Sequence, residues 1–298
     1  MTKLLFLSAV LTAAATVAAV NARQAVAIDE HAGHGGHDGA PGGQQAEGIP
    51  ASGANAAARI AASPRRGQWV AIKVGATDSV MAWVVYPQQT TARAPVVIAI
   101  HENTGLTTWA RNVADQLAAD GFIGIAPDLL TMKRTGNLTT EWSSDSGRAA
   151  IGTLSNDDAQ RMLDAVARYG MSLPQAAPKY GVVGFCWGGA RSFLHATHAP
   201  TLGAAVVYYG STPPAEAMAA IRAPVLGLYG GNDARITAAV PGTDSTMKRL
   251  AKSYEYSIFE GAGHGFLRGQ EGGEGANMKA AQQAWPRTIA FFRKHLGA

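Results

Sequence analysis

The sequence predicts an α/β fold with a mostly parallel central sheet and helices on both faces. Three observations carry this. Short apolar runs alternate with helix-periodic segments from Gln68 to the C-terminus. Several runs, such as VVIAI (96–100) and AAVVYYG (204–210), are apolar without alternation, as strands buried on both faces are. The chemically active residues cluster directly after these runs, where open parallel sheets bind their ligands.

The elements follow in order. QWVAIKV (68–74) and SVMAWVVYP (79–87) read as a hairpin turning through Gly75–Asp78, and APVVIAIHE (94–102) as a buried strand. Residues 107–121 form a helix, with Trp109, Val113 and Leu117 at spacing four and Gly121 as its stop. FIGIAPDLL (122–130) is the next strand. The polar stretch 131–150 reads as an irregular loop beside a cleft. A helix over 156–170 carries Met162, Val166 and Tyr169 on one side. Strand YGVVGF (180–185) and a helix over 188–199 follow, then strands over 202–210 and 223–230. A short helix over 243–252 is expected, capped by Thr243 or Ser245. A strand starting at Tyr254 runs toward GAGHGF (261–266), and a closing helix over 278–297 is expected to kink or divide at Pro286. Repeated βα units of this kind make one domain.

Gly184-Phe185-Cys186-Trp187-Gly188 has the spacing G-x-C-x-G between a strand and a helix. That is a nucleophile elbow with cysteine in place of serine. Residues 184 and 188 must be small because the turn is tight. The new helix directs its amide end at the sulfur, which favours the thiolate. The Trp187 N–H is placed to meet a developing oxyanion. Cys186 is the only cysteine of the chain, so it forms no internal disulfide. The competing reading is a structural cysteine in a close-packed turn.

A thiolate needs a base and an orienting acid. His264 lies between glycines after the last strand, and Asp233, in YGGNDARI (229–236), after the strand before it. A loop histidine or a turn aspartate is ordinary alone. The chain order Cys186, Asp233, His264 is the nucleophile–acid–histidine order of α/β-hydrolases. Glu102 ends a very apolar strand and is placed to lie in the cleft, where it accepts the thiol proton or holds Cys186 at rest; a salt bridge or helix cap is the alternative. The Asn103 N–H is the natural second oxyanion donor. His101 receives no role.

Together IHENTGL, GFCWGG, GNDARI and GAGHGF resemble the dienelactone hydrolase (carboxymethylenebutenolidase) family, over about residues 68–298. The resemblance implies the α/β-hydrolase fold, Cys186 as nucleophile, His264 as base, Asp233 as its orienter and Glu102 as the carboxylate that activates the thiol when substrate arrives. Arg268, four residues after the histidine, matches an arginine that holds a substrate carboxylate. A second family arginine has its place near Met132, with Lys133 and Arg134 beside it but out of register.

The expected activity is hydrolysis of a small carboxylic ester or enol lactone, anionic where Arg268 engages it, through a cysteine acyl-enzyme. No cofactor and no metal are needed. The rival reading is a non-enzymatic envelope binding protein with a metal- or partner-contacting leader. A thiol redox protein is disfavoured by the lack of C-x-x-C and of a resolving cysteine.

Before the domain the chain changes character. Lys3 followed by the apolar run Leu4–Val20 reads as a secretory signal peptide over residues 1–27, with Val20-Asn21-Ala22 or Ala25-Val26-Ala27 as the cleavage site. The alternative is a single membrane anchor, for which a run of about 17 residues is short. Residues 28–63 read as a flexible leader rich in Gly, Ala and His, and residues 64–298 as the hydrolase domain. His31, His34 and His37 are spaced for weak metal binding. The expected location is the periplasm or the medium, as a monomer without stable membrane insertion. The formal net charge is +4, and +2 once Lys3 and Arg23 are removed; with no basic cluster, nucleic acid is excluded as a partner.

Overall fold

The computed structural model describes residues 48–88, 93–133 and 143–297. The chain divides into units Met1–His37 and Asp38–Ala298. The first unit, with the expected signal peptide and His31, His34 and His37, lies outside the described residues.

The eight strands are β1 (Gln68–Lys73), β2 (Ser79–Val85), β3 (Ala94–Ile100), β4 (Ile123–Asp128), β5 (Ala176–Phe185), β6 (Leu202–Tyr208), β7 (Val225–Gly230) and β8 (Tyr254–Phe259). They form one sheet in the order β1-β2-β4-β3-β5-β6-β7-β8. Among the described residues only β2 runs against the rest, pairing antiparallel with both β1 and β4. The β1–β2 hairpin turns where expected, closed by the Val74 N–H donating to the Asp78 carbonyl at 2.9 Å. β3 and β5, at the centre, are the strands that lead into Glu102 and Cys186.

The helices are α1 (Ala56–Ala62), α2 (Thr108–Ala119), α3 (Ser144–Gly152), α4 (Asn156–Ser172), α5 (Trp187–Ala196), α6 (Ala215–Met218), α7 (Ala234–Thr237), α8 (Val240–Arg249) and α9 (Ala276–Leu296). They cover both faces. One core holds Trp109, Leu117, Phe185 and Phe292, with α2 and α9 over it. The other holds Met162, Val166, Phe193 and Met247, beneath α4, α5 and α8. Thr107 caps α2 and Ser155 caps α4, each hydroxyl accepting a first-turn N–H.

Four expectations are corrected. The stretch 131–150 is not all irregular: α3 begins at Ser144, whose preceding Ser143 accepts from the Ser146 N–H. Neither Thr243 nor Ser245 is a cap. Both lie inside α8, their hydroxyls donating to the carbonyls of Ala239 and Pro241 four residues back. Helix α9 is not divided at Pro286. Pro286 and Gln282 are exposed, so the carbonyl that loses its N–H partner is open to water. Finally, residues 48–63, placed by composition in the flexible leader, are packed on the domain. Ile49, Ala51 and Ala56 are buried, the Ser63 hydroxyl donates to Asp115 at 2.7 Å, and Arg65 makes two hydrogen bonds to the same carboxylate. Average composition misses this because a few apolar side chains and well-placed carbonyls suffice to anchor a short segment.

One buried polar group has a thermodynamic consequence. His195 is inaccessible, with its Nδ1 accepting from Gln160 Nε2 (2.7 Å) and its Nε2 meeting the Tyr180 hydroxyl (2.9 Å). Burial, with nearby His198, pulls its pKa down to about 4. Between about pH 6.5 and about 4 the unfolded chain takes up a proton that the folded one refuses, so stability falls on acidification through that window. The shift corresponds to about 3 kcal/mol. Urea-unfolding midpoints measured across this range are expected to drop in the wild type and to show a flatter pH dependence in His195→Gln; parallel profiles would contradict the assignment.

Candidate active site

Cys186 stands between the last residue of β5 and the first of α5, with φ +55° and ψ −115°. A non-glycine residue there is strained, and the surroundings hold it. Its N–H donates to the Tyr208 carbonyl at 3.1 Å, and its carbonyl accepts from Ala190 at 3.1 Å. The flanking glycines permit the turn. A Cβ on Gly184 would lie 1.9 Å from the Gly188 carbonyl oxygen, and one on Gly188 would lie 2.4 Å from that of Ile100. Strand and helix touch backbone to backbone, so the thiol is lifted over the strand ends, half-buried.

Asp233 follows β7 as the residue before α7, its N–H bonded to the Gly230 carbonyl. His264 sits in the loop after β8. His264 Nδ1 meets Asp233 Oδ2 at 2.5 Å. Asp233 is buried and acceptor-only, so it fixes the proton on Nδ1. Nε2 is buried and has no hydrogen-bond partner among the described residues. Burial lowers the His264 pKa, but Asp233 and the cysteine outweigh it and hold it up at about 9.

Glu102, two residues past β3, is buried, and its Oε2 accepts from Arg268 Nε at 2.6 Å. Its carboxylate raises the Arg268 pKa further, despite the opposing effect of burial. Arg268 therefore reaches the cleft, but at rest it binds Glu102. Trp187 is the first residue of α5, so its N–H is one of the amides a helix leaves unpaired. Asn103 directly follows Glu102 on the neighbouring strand end. The place near Met132 holds no arginine among the described residues. Met132 packs on the core and the Lys133 ammonium donates to the Thr153 carbonyl at 3.0 Å; Arg134 lies outside the described residues.

Two residues of the site, Tyr209 and Asn277, were passed over by the sequence reading, and a third, His101, was left without a role. Tyr209 is fully buried, its hydroxyl has no partner among the described residues, and its φ is +39°. Its ring lies 5.1 Å from the His264 ring. Burial and then the Glu102 charge push the phenol pKa well up, so it remains a donor. The only sequence signal was a hydroxyl closing the apolar run at the end of β6. Asn277, on α9, spans the histidine loop: its Oδ1 accepts from the Gly263 N–H at 2.9 Å and its Nδ2 donates to the Gly269 carbonyl at 2.7 Å. His101 braces the Glu102 turn. Its Nε2 accepts from the Leu129 N–H and its Nδ1–H donates to the Glu102 carbonyl, while the ring stacks on Trp187.

Residues 80–296 match the model of the dienelactone hydrolase family. The "Putative carboxymethylenebutenolidase" of Saccharolobus solfataricus is 31% identical over 230 residues, covering 66% of this chain and 88% of the relative. A Bradyrhizobium protein named "Probable 2-oxo-3-(5-oxofuran-2-ylidene)propanoate lactonase" is 29% identical, covering 76% and 94%. Among solved structures, the "Putative Dienelactone Hydrolase" of Klebsiella pneumoniae superposes with a TM-score of 0.65 at 25% identity, covering 76% of this chain and 98% of its own.

The raised His264 pKa has a sign that can be checked. An imidazole that binds its proton more tightly when folded adds stability in full below about pH 6.5, and that stability is lost as the pH rises through about 9. In Asp233→Asn the His264 ring resonance is expected to titrate at clearly lower pH than in the wild type by NMR. An unmoved titration would mean that Asp233 does not hold the proton.

Proposed function

This chain belongs to the dienelactone hydrolase family and is a hydrolase, and we propose that it opens carboxylate-bearing enol lactones or related small esters through a thioester on Cys186. The observation that carries this reading is the strained elbow at Cys186, together with His264, whose Nδ1 is held by Asp233 and whose buried Nε2 is left without a partner among the described residues. A non-enzymatic binding role gives no reason for that constellation, and family membership replaces it.

The steps follow from the placed groups. A substrate carboxylate competes for Arg268 and releases Glu102, which draws off the thiol proton. The thiolate attacks the lactone carbonyl carbon, and the N–H groups of Asn103 and Trp187 receive the oxyanion. The ring C–O bond breaks. The enolate that leaves is a stabilised anion, so a thiolate suffices as nucleophile, and His264 delivers its Nε2 proton to the departing oxygen. The neutral imidazole then takes a proton from water, whose oxygen hydrolyses the thioester. The released thiolate recovers its proton from Glu102. A bidentate guanidinium suits a carboxylate, and the compound for which the Bradyrhizobium relative is named combines a carboxylate with an unsaturated lactone. Export to the cell envelope, through the N-terminal apolar run, belongs to the same proposal and is tested by fractionating cells.

Rapid mixing with mono-p-nitrophenyl succinate, an activated ester that carries its own carboxylate, is expected to give a burst of nitrophenol equal to the enzyme concentration, abolished by iodoacetamide. Cys186→Ala is expected to lower kcat/KM on any accepted lactone by about a thousandfold or more. Turnover that survives both treatments would rule out the thioester route.

A further inference from the structure

We propose that residues 49–53, which precede the matched family region, form a strap that positions Arg268 and so sets the preference for anionic substrates. The inference rests on the carboxylate-binding reading of Arg268 given above and adds the residues that aim it.

The family match starts at residue 80, yet the strap is built into the site. The Gly53 N–H donates to the Arg268 carbonyl at 2.8 Å. Two residues further on, buried Gln270 donates from Nε2 to the Pro50 carbonyl at 2.8 Å and to that of Leu267 at 2.9 Å. On the other side the Trp109 indole N–H donates to the Ala51 carbonyl at 3.0 Å. Ile49, Ala51 and Ser52 are buried between these anchors. The backbone of Arg268 is thereby tied through the strap to α2, an element that the histidine loop does not otherwise need for its own turn.

The side chain of Arg268 is limited from the same direction. A Cβ on Gly53 would stand 3.1 Å from Arg268 Cγ and 3.7 Å from Cδ. Gly53 is exposed and outside the left-handed region, so its backbone tolerates a larger residue. What a larger residue meets is the aliphatic stem of the arginine. With Glu102 holding the guanidinium at 2.6 Å, the stem has a wall on one side and an anion on the other. Pushing the stem moves the guanidinium and changes how it exchanges Glu102 for a substrate carboxylate. Charge-assisted pairs of this type depend on geometry as well as charge.

The test uses the full chain and two substrates that differ only in charge, a carboxymethylene butenolide and its methyl ester, with lactone opening followed in the ultraviolet. In Gly53→Val, KM for the anionic lactone is expected to rise about tenfold, a typical scale for one charge-assisted contact, with kcat and the methyl ester little changed. Trp109→Phe keeps an aromatic side chain but removes the indole N–H that anchors Ala51, and is expected to shift the same ratio in the same direction. The double variant Gly53→Val/Arg268→Ala is expected to discriminate no worse than Arg268→Ala alone, since both substitutions act through one side chain. Equal losses on the two lactones, an unchanged ratio in Gly53→Val, or additive losses in the double variant would overturn the strap. If Arg268→Ala itself leaves the ratio unchanged, the carboxylate reading fails; if only the strap variants leave it unchanged, that reading stands and the strap alone falls. Should Gly53→Val fold poorly, as shown by its melting temperature, Trp109→Phe decides the matter by the same ratio.

Discussion

The backbone contact between the end of β5 and the start of α5 is the constraint on which the site depends. Gly184 and Gly188 approach until no Cβ fits between them and their neighbours. This closeness forces Cys186 into a positive φ and lifts its sulfur above the sheet. It also aims the first amides of α5 at the same point. One steric fact thus sets the exposure of the Cys186 thiol, its electrostatic setting and the free amides beside it. The strain at one residue is small beside the burial of two cores, so the fold can hold it.

Around the thiol the charges come in pairs. His264 is matched to Asp233 and Arg268 to Glu102, and each pair offers one group to the cleft. In a partly dry site these charges act more strongly than they would in water. The arrangement holds Glu102 against the Arg268 guanidinium. Tyr209 adds a neutral hydroxyl among them, kept protonated by burial and by the adjacent carboxylate. An unpaired buried donor is costly, and its place beside His264 makes a substrate oxygen the natural partner.

The supports of these groups come from distant parts of the chain. Asn277 holds the histidine loop from the last helix, His101 binds the Glu102 turn to β4, and the residue 49–53 segment holds the arginine loop from beyond the family match. A long hydrogen-bonded path costs chain entropy to close, and buried apolar anchors such as Ile49 and Ala51 offset it.

Local chemistry determined much of this by itself. Uninterrupted apolar runs marked β3, β4, β5, β6 and β7, because strands buried on both faces carry no alternation. Glycine spacing marked the elbow, because the turn excludes side chains. Chain order related Cys186, Asp233 and His264, because each follows a different strand of one parallel sheet and all parallel strands end on the same side. Only the tertiary structure decided where the side chains at those ends point. Glu102 met Arg268 across 166 positions of chain, the tyrosine at 209 became a cleft residue, and Thr243 and Ser245 fell inside a helix instead of capping it. It also decided that residues 48–63 pack, although their composition reads as a linker. Such outcomes depend on distance between segments remote in sequence, which composition, periodicity and spacing do not encode.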